Sequence, residues 1–538
     1  MATTFLNLSK PLFLLCFLLF CCADDEMTKK DIVWWCRTTP HPETCSYFMG
    51  QQDQGPVPIP KSREDFRTMT IRTALDRAVE SQTESNRLAG NCRSKRKRIV
   101  FRDCNSLIDS TIDQLNSTLQ SILTNATFTV VDAQTWLSSA LTNIQICRRG
   151  SLDLNLTKFT SPILSANVSE LISNCLATNG ALLDAGNSSV AGDGDGDGDG
   201  FPNWLPPRER KLLQDQSLAR AAIAVVSKTG RGNFRSIQAA INYAVSRRVG
   251  NTGRVVVYVK KGVYRENVLV SRTMGNVVLV GDGMRSTVIT AGRSVNAGFT
   301  TYSTATFGVD GIGFMARGIT FRNTAGPQGG QAVALRSASD LSVFYGCGFE
   351  GYQDTLFVHA QRQFFKACVI YGTIDFIFGN AAVVFQNCNI YVRRPLLGQG
   401  NVITAQGRGD PFQNTGISIH KSRIMPAPDL KPVLASFNTY LGRPWQQYSR
   451  TVIMKSFIDG FVSRDGWSRW GNSNFALATL YYGEYRNFGP GGSTRSRVKW
   501  PGYHVITDPK VASRFTVDSL IAGRAWLPSS GVPFTAGL

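Results

Sequence analysis

The sequence predicts two domains of different class, a helical bundle followed by an all-β solenoid of the parallel β-helix type. Three features carry this reading: an Asp-Gly run that divides the chain, apolar residues at helical spacing before it, and a 21-residue repeat after it. At 538 residues, with 43% hydrophobic and 10% aromatic content, the chain is globular in composition and too long for one ordinary domain.

The N-terminus comes first. Residues 1–23 contain Lys10, the apolar run "PLFLLCFLLFCC" and Ala23 before Asp24 and Asp25, which reads as a cleaved signal peptide because the run is too short to span a bilayer. A secreted chain without a membrane span in its mature form is expected. Of the 12 cysteines, Cys16, Cys21 and Cys22 lie in this leader, leaving nine in an oxidising compartment, so at least one is unpaired.

The net charge of +20 points to an anionic partner. An acidic polysaccharide fits better than nucleic acid, since no zinc-finger spacing or RNA-binding aromatic motif is present. "RSKRKR" (Arg93 to Arg98) reads as a solvated loop or a protease-sensitive site.

Residues 24–185 read as the helical domain. Ile108, Ile112, Leu115, Leu119 and Ile122 form one amphipathic stripe, and Leu164, Val168, Leu171 and Cys175 another. Five N-x-S/T sequons, at Asn116, Asn125, Asn155, Asn167 and Asn187, make this the glycosylated half. Residues 186–213 read as a linker: "AGDGDGDGDG" (Ala191 to Gly200) has no apolar surface to bury and lacks the apolar position of a calcium-binding β-roll repeat. The Pro-bounded basic segment "PPRERKLLQ" (Pro206 to Gln214) that follows has the character of a cleavage site.

Residues 214–538 form the second domain. One helix, "SIQAAINYAV", is followed by short apolar strands punctuated by Gly and Asn with no helices between them, which excludes a doubly wound α/β fold. Within "FYGCGFEGYQDTLF" and "FKACVIYGTIDFIF", Phe344 and Phe365, Cys347 and Cys368, Gly351 and Gly372, Asp354 and Asp375, and Phe357 and Phe378 share one offset of 21. Consecutive coils of a β-helix stack about 4.8 Å apart, a separation compatible with a Cys347–Cys368 disulfide. The same stacking places Asp354 against Asp375. Two carboxylates that close do not both ionise readily, so they divide into an acid and a base or nucleophile. Turn aspartates of a repeat are the alternative, although "IDFIF" lacks turn composition. Gln353, and Gln331 one coil earlier, add amides suited to an oxyanion hole.

These residues alone leave two reactions open. A dyad of this kind serves an ester hydrolase with an aspartate nucleophile, or a retaining glycosidase with carboxyls about 5 Å apart. Serine and metal hydrolysis are disfavoured: there is no G-x-S-x-G or HExxH, and the chain has only 4 His.

"GVYRE" (Gly262 to Glu266), "QAVALR" (Gln331 to Arg336), "GYQDTLF" (Gly351 to Phe357), "GTIDFIFGN" (Gly372 to Asn380) and "LGRPW" (Leu441 to Trp445) resemble, in order, the motifs of plant pectin methylesterases. The resemblance covers nearly all of the second half and implies a right-handed parallel β-helix acting on methylesterified homogalacturonan without cofactor or metal. It implies Asp375 as nucleophile, Asp354 as proton donor and then base, and Gln353 as oxyanion stabiliser. Thr301, Gln331, Arg443 and Trp445 would contact substrate, with Arg443 also holding Asp375. The first half resembles the family's inhibitor-like pro-region, implying a four-helix bundle with disulfides Cys36–Cys45 and Cys104–Cys147. It leaves Cys92, Cys175 and Cys388 unassigned. Arg210, Lys211, Leu212 and Leu213 resemble the processing motif, which implies a processing protease. The implied setting is a monomer in the plant cell wall, open to separate inhibitor proteins. Departures from the pattern are Gly318, Gly329, Gly330 and Phe357.

Overall fold

The computed structural model describes residues 32–50, 59–124, 129–187, 217–248, 250 and 253–538. The signal peptide, the Asp-Gly linker, the Arg210–Leu213 motif and Asn125 lie outside these residues. Asn116, Asn155 and Asn167 are exposed, as glycan acceptors must be.

Four long helices build the first domain: α1 (Arg63–Leu88), α2 (Lys95–Leu123), α3 (Val130–Asp153) and, after a short helix Thr157–Leu164, α4 (Val168–Asn187). Helices α1 and α3 each pack against both α2 and α4, which closes a four-helix bundle. Ser62, Ser94 and Thr129 cap the N-termini of α1, α2 and α3 through side-chain oxygens, satisfying donors that a helix start leaves free. The basic segment expected as a loop is therefore largely the first turn of α2. The stripe from Leu164 to Cys175 is also broken, because Asn167 turns the chain at φ +53° between two helices. Disulfides Cys36–Cys45 and Cys104–Cys147 pin the bundle as the resemblance implied.

The second domain is a parallel β-helix. Among the described residues seven complete coils each contribute one strand to each of three parallel sheets, and partial coils at the ends bring these to 11, 7 and 8 strands. Helix Ile237–Ser246 buries Ile237, Ala240, Ile241 and Ala244 over its N-terminal end. The C-terminal segment packs Val517, Ile521, Trp526 and Leu527 onto the outer face of the 11-stranded sheet, a role that periodicity did not reveal.

The 21-residue repeat is the coil itself. Phe344 pairs with Phe365 and Phe357 with Phe378 in register. Inside the coil, Phe344, Phe365 and Phe385 stack at ring-centroid distances of 4.5 and 4.7 Å. In the 7-stranded sheet the side chains alternate, so Leu335, Leu356 and Ile377 point into the core while Arg336, Phe357, Phe378 and Ala405 form an outward row.

The expected Cys347–Cys368 disulfide is absent: both are buried free thiols. Stacked side chains in a parallel ladder run side by side, whereas a disulfide needs Cβ atoms turned toward each other. Each sulfur instead contacts a main-chain oxygen of the preceding coil, Cys347 to Ala316 at 3.4 Å and Cys368 to Phe344 at 3.3 Å, and Cys388 continues the ladder. Burial raises the Cys347 thiol to about 12, which keeps it protonated. Alkylation of the denatured, unreduced protein is expected to label Cys347, Cys368 and Cys388 but none of the four bundle cysteines in disulfides; a Cys347–Cys368 crosslinked peptide in the mass spectrum contradicts this assignment.

Candidate active site

Both aspartates sit at the turn that leads into a strand of the 7-stranded sheet. Asp354 has φ +61° and Asp375 φ +50°, and the strand after Asp375 begins only at Ile377. "IDFIF" thus starts as a turn, contrary to its composition. Left-handed backbone is tolerated by Asp better than by a branched residue. The glycine three residues earlier makes room: a Cβ on Gly372 would lie 2.2 Å from the Cβ of Phe376, and one on Gly351 2.7 Å from Thr355 Oγ1. Repeated turn and repeated register put the two carboxyls on adjacent coils. The Asp354 N–H donates to the Ile374 carbonyl at 3.0 Å.

Both carboxyls are nearly buried, at 7% and 6% exposure. Arg443, whose own N–H is held by the Thr404 carbonyl, donates from Nε and Nη2 to the two oxygens of Asp375 at 2.8 and 2.7 Å. Burial raises Asp375, and the Arg443 charge and hydrogen bonds oppose that rise. Asp354 has no such clamp: burial first, and then the neighbouring Asp375 charge, push it well above the ordinary carboxylate range. Asp375 therefore gives up its proton first and Asp354 keeps one longer.

A cavity of about 110 Å³ collects every residue assigned by sequence to catalysis or substrate: Thr301, Gln331, Gln353, Asp354, Asp375, Arg443 and Trp445. Gln331 and Gln353 come from adjacent coils, with the Ala332 N–H donating to the Gln353 carbonyl at 3.2 Å. Trp445 meets the edges of Phe357 and Phe378. It lies so close over Gly407 that a Cβ there would be 2.7 Å from its ring. Sequence reading missed Tyr302 and Trp470, which also line the cavity, Trp470 carrying the Arg443 guanidinium 4.5 Å above its ring. A tryptophan in a Gly-, Ser- and Asn-rich loop was the available signal. Among the described residues no cluster of His, Cys, Asp or Glu is placed to hold a metal ion.

One side of the cavity belongs to the helical bundle. Ile146, Arg149, Gly150 and Asp153, on one face at the end of α3, close over the cavity. Farther along α3, Arg362 pairs with Asp132 at 2.7 Å, Asn380 Nδ2 donates to Thr142 Oγ1 at 2.8 Å, and Gln413 Nε2 donates to the Ser138 carbonyl at 2.9 Å. Ser173 of α4 donates to Asp410 at 2.6 Å, while Asp103 of α2 is buried and accepts from Thr300 and Ser303.

A paired-carboxylate site at the turns beside the outer row of a β-helix, with amides beside it and an arginine on one member, suits either hydrolase class left open by the sequence, an ester hydrolase or a retaining glycosidase, and kinship decides for the ester hydrolase. The family model for Pectinesterase matches residues 223–524, and that for Plant invertase/pectin methylesterase inhibitor matches residues 30–178. The chain is 54% identical over 517 residues to the probable pectinesterase/pectinesterase inhibitor 33 of Arabidopsis thaliana, covering 94% of this chain and 86% of that protein. It is 49% identical over 509 residues to pectinesterase 2 of Citrus sinensis, covering 95% of each. The solved pectin methylesterase from carrot superposes with a TM-score of 0.58 at 52% identity, covering 59% of this chain and 98% of that one. The chain belongs to the pectinesterase family, carries the inhibitor-like domain in front of the enzyme, and hydrolyses methyl esters of pectin.

Replacing Arg443 by Gln leaves only the Arg149 charge to oppose burial at Asp375 and so raises its pKa further. With Asp375 acting as a charged nucleophile, the role proposed for it below, the acidic limb of the kcat/KM profile is expected to move to higher pH, with activity recovering above it. An unmoved limb contradicts the ion pair's assigned role.

Proposed function

We propose that this is a secreted pectin methylesterase working through an aspartate nucleophile, held inactive by its own pro-region until the linker is cut. The observation that carries the reaction is the asymmetry of the dyad, with one carboxyl clamped by Arg443 and the other raised by its surroundings. In the proposed sequence an Asp375 oxygen attacks the C6 carbonyl carbon of a methylesterified galacturonate. Gln353, with Gln331, donates to the oxyanion, and Asp354 gives its proton to the methoxy oxygen, so that methanol leaves and an acyl-aspartate anhydride remains. Asp354, now a carboxylate, takes a proton from water as it attacks the galacturonyl carbon. Asp375 leaves as a carboxylate, Asp354 is again protonated, and the product forms as a galacturonic acid that releases its proton to solvent as free galacturonate. Trp445 supplies a flat face for a sugar ring.

The inhibitory reading rests on position, since the end of α3 lines the same cavity as the carboxylate dyad and the groups assigned to substrate. Processing at Arg210–Leu213 by a protease would separate the halves. Secretion rests on residues 1–23, and the basic charge fits retention on an acidic wall polymer.

The test is methanol release from highly methylated pectin by the chain cut in its linker and freed of the pro-region. Asp354→Asn is expected to lower kcat by about 10²- to 10⁴-fold, the size of a general acid–base contribution, and Asp375→Asn to abolish turnover. Full activity in a folded Asp375→Asn protein removes the aspartate from the chemistry.

A further inference from the structure

At the catalytic cavity the bundle presents a carboxylate to the enzyme. One oxygen of Asp153 accepts from the Thr301 N–H at 3.2 Å and from the Thr301 hydroxyl at 2.9 Å. Arg149, one turn earlier on α3, approaches the other at 3.1 Å. The Asp153 side chain is only 4% exposed. Gly150 brings the helix in, because a Cβ there would lie 3.2 Å from the Thr300 Cγ2.

Two features make this more than a docking contact. Asp153 lines one cavity with Asp354 and Asp375, and its charge, with that of Asp375, is felt at Asp354. A third carboxylate beside a carboxylate dyad is an unfavourable choice for a plug, unless the enzyme already provides for one there. Thr301 does so, offering two donors to a single oxygen. The groove's own substrate is a polymer whose units carry either a methyl ester or, after reaction, a carboxylate. Donors bind an ionised oxygen roughly twice as strongly as a neutral one.

We infer that Asp153 occupies the Thr301 donors as a surrogate for the free carboxylate of a galacturonate unit, so un-esterified galacturonan competes with the pro-region for the same site. The inference rests on the inhibitory reading above and deepens it. Inhibition is then graded by the substrate: regions of the polymer already stripped of methyl groups loosen the pro-region, whereas fully methylated regions do so less. Arg149 has a matching part, since its charge favours the ionised dyad and offsets the intruding carboxylate.

The experiment uses the full chain, uncut and cut once in the linker with both halves retained. From the cut chain, un-esterified oligogalacturonate is expected to displace the pro-region at lower concentration than its fully methylated counterpart of equal length, read by gel filtration. Asp153→Asn, which keeps the size but removes the charge, is expected to erase that preference and to raise methanol release by the uncut chain about tenfold or more, the worth of charge-assisted hydrogen bonds. Equal displacement by the two oligomers in the wild-type chain overturns the mimicry without need of any variant. An uncut Asp153→Asn chain as inactive as wild type also overturns it, while leaving inhibition itself intact. If the uncut wild-type chain is already as active as the freed enzyme, the inhibitory reading fails and this inference with it.

Discussion

Everything in the site depends on one register. The Asp354 N–H bonds to the Ile374 carbonyl, and three residues on Phe357 faces Phe378, so the turn before one strand lies directly on the turn before the next. Two unit charges about 4 Å apart repel by roughly 4 kcal/mol at an effective dielectric of 20, while a hydrogen bond to a charged group is worth about 1.5–3 kcal/mol. A single arginine clamped onto Asp375 can therefore sustain one buried charge but not a second. The fold makes the two carboxyls near-equivalent, and Arg443, arriving two coils later, makes them different.

The outward row that carries Phe357 and Phe378 also explains why a helical bundle fits there. Gly308, Arg336, Phe357, Phe378 and Ala405 follow one another along the sheet and form a continuous floor. The bundle meets this floor with buried apolar side chains at the active site and with paired polar groups around it, from Asp132–Arg362 to Ser173–Asp410. Polar pairs can exchange their partners for water at modest net cost, which suits the holding and later release proposed for this interface.

What the sequence made legible follows from periodicity. A residue that recurs once per coil leaves an offset of 21, and Asp354, Asp375 and the glycines before them were found that way. Arg443 and Trp445 have no such echo and were reached only through the "LGRPW" motif. Trp470 and Tyr302 come from irregular loops and were missed. The same stacking argument that located the dyad failed for Cys347 and Cys368, because proximity of backbones does not turn two Cβ atoms toward each other. Composition misled at "IDFIF", where the apolar residues belong to the strand and the aspartate to the turn that precedes it. Docking of α3 over the cavity left no mark in either half, since it depends on complementarity between surfaces that are far apart in the chain.

The central claim is that one proton is shared unequally by the two carboxyls. Infrared difference spectroscopy of the chain with isotopically labelled aspartate tests it directly, at a pH where an ordinary aspartate is fully ionised. The account predicts a protonated carboxyl stretch in the wild-type enzyme that disappears in Asp354→Asn. A spectrum with no protonated carboxyl, or one whose band survives in Asp354→Asn and vanishes in Asp375→Asn, contradicts it.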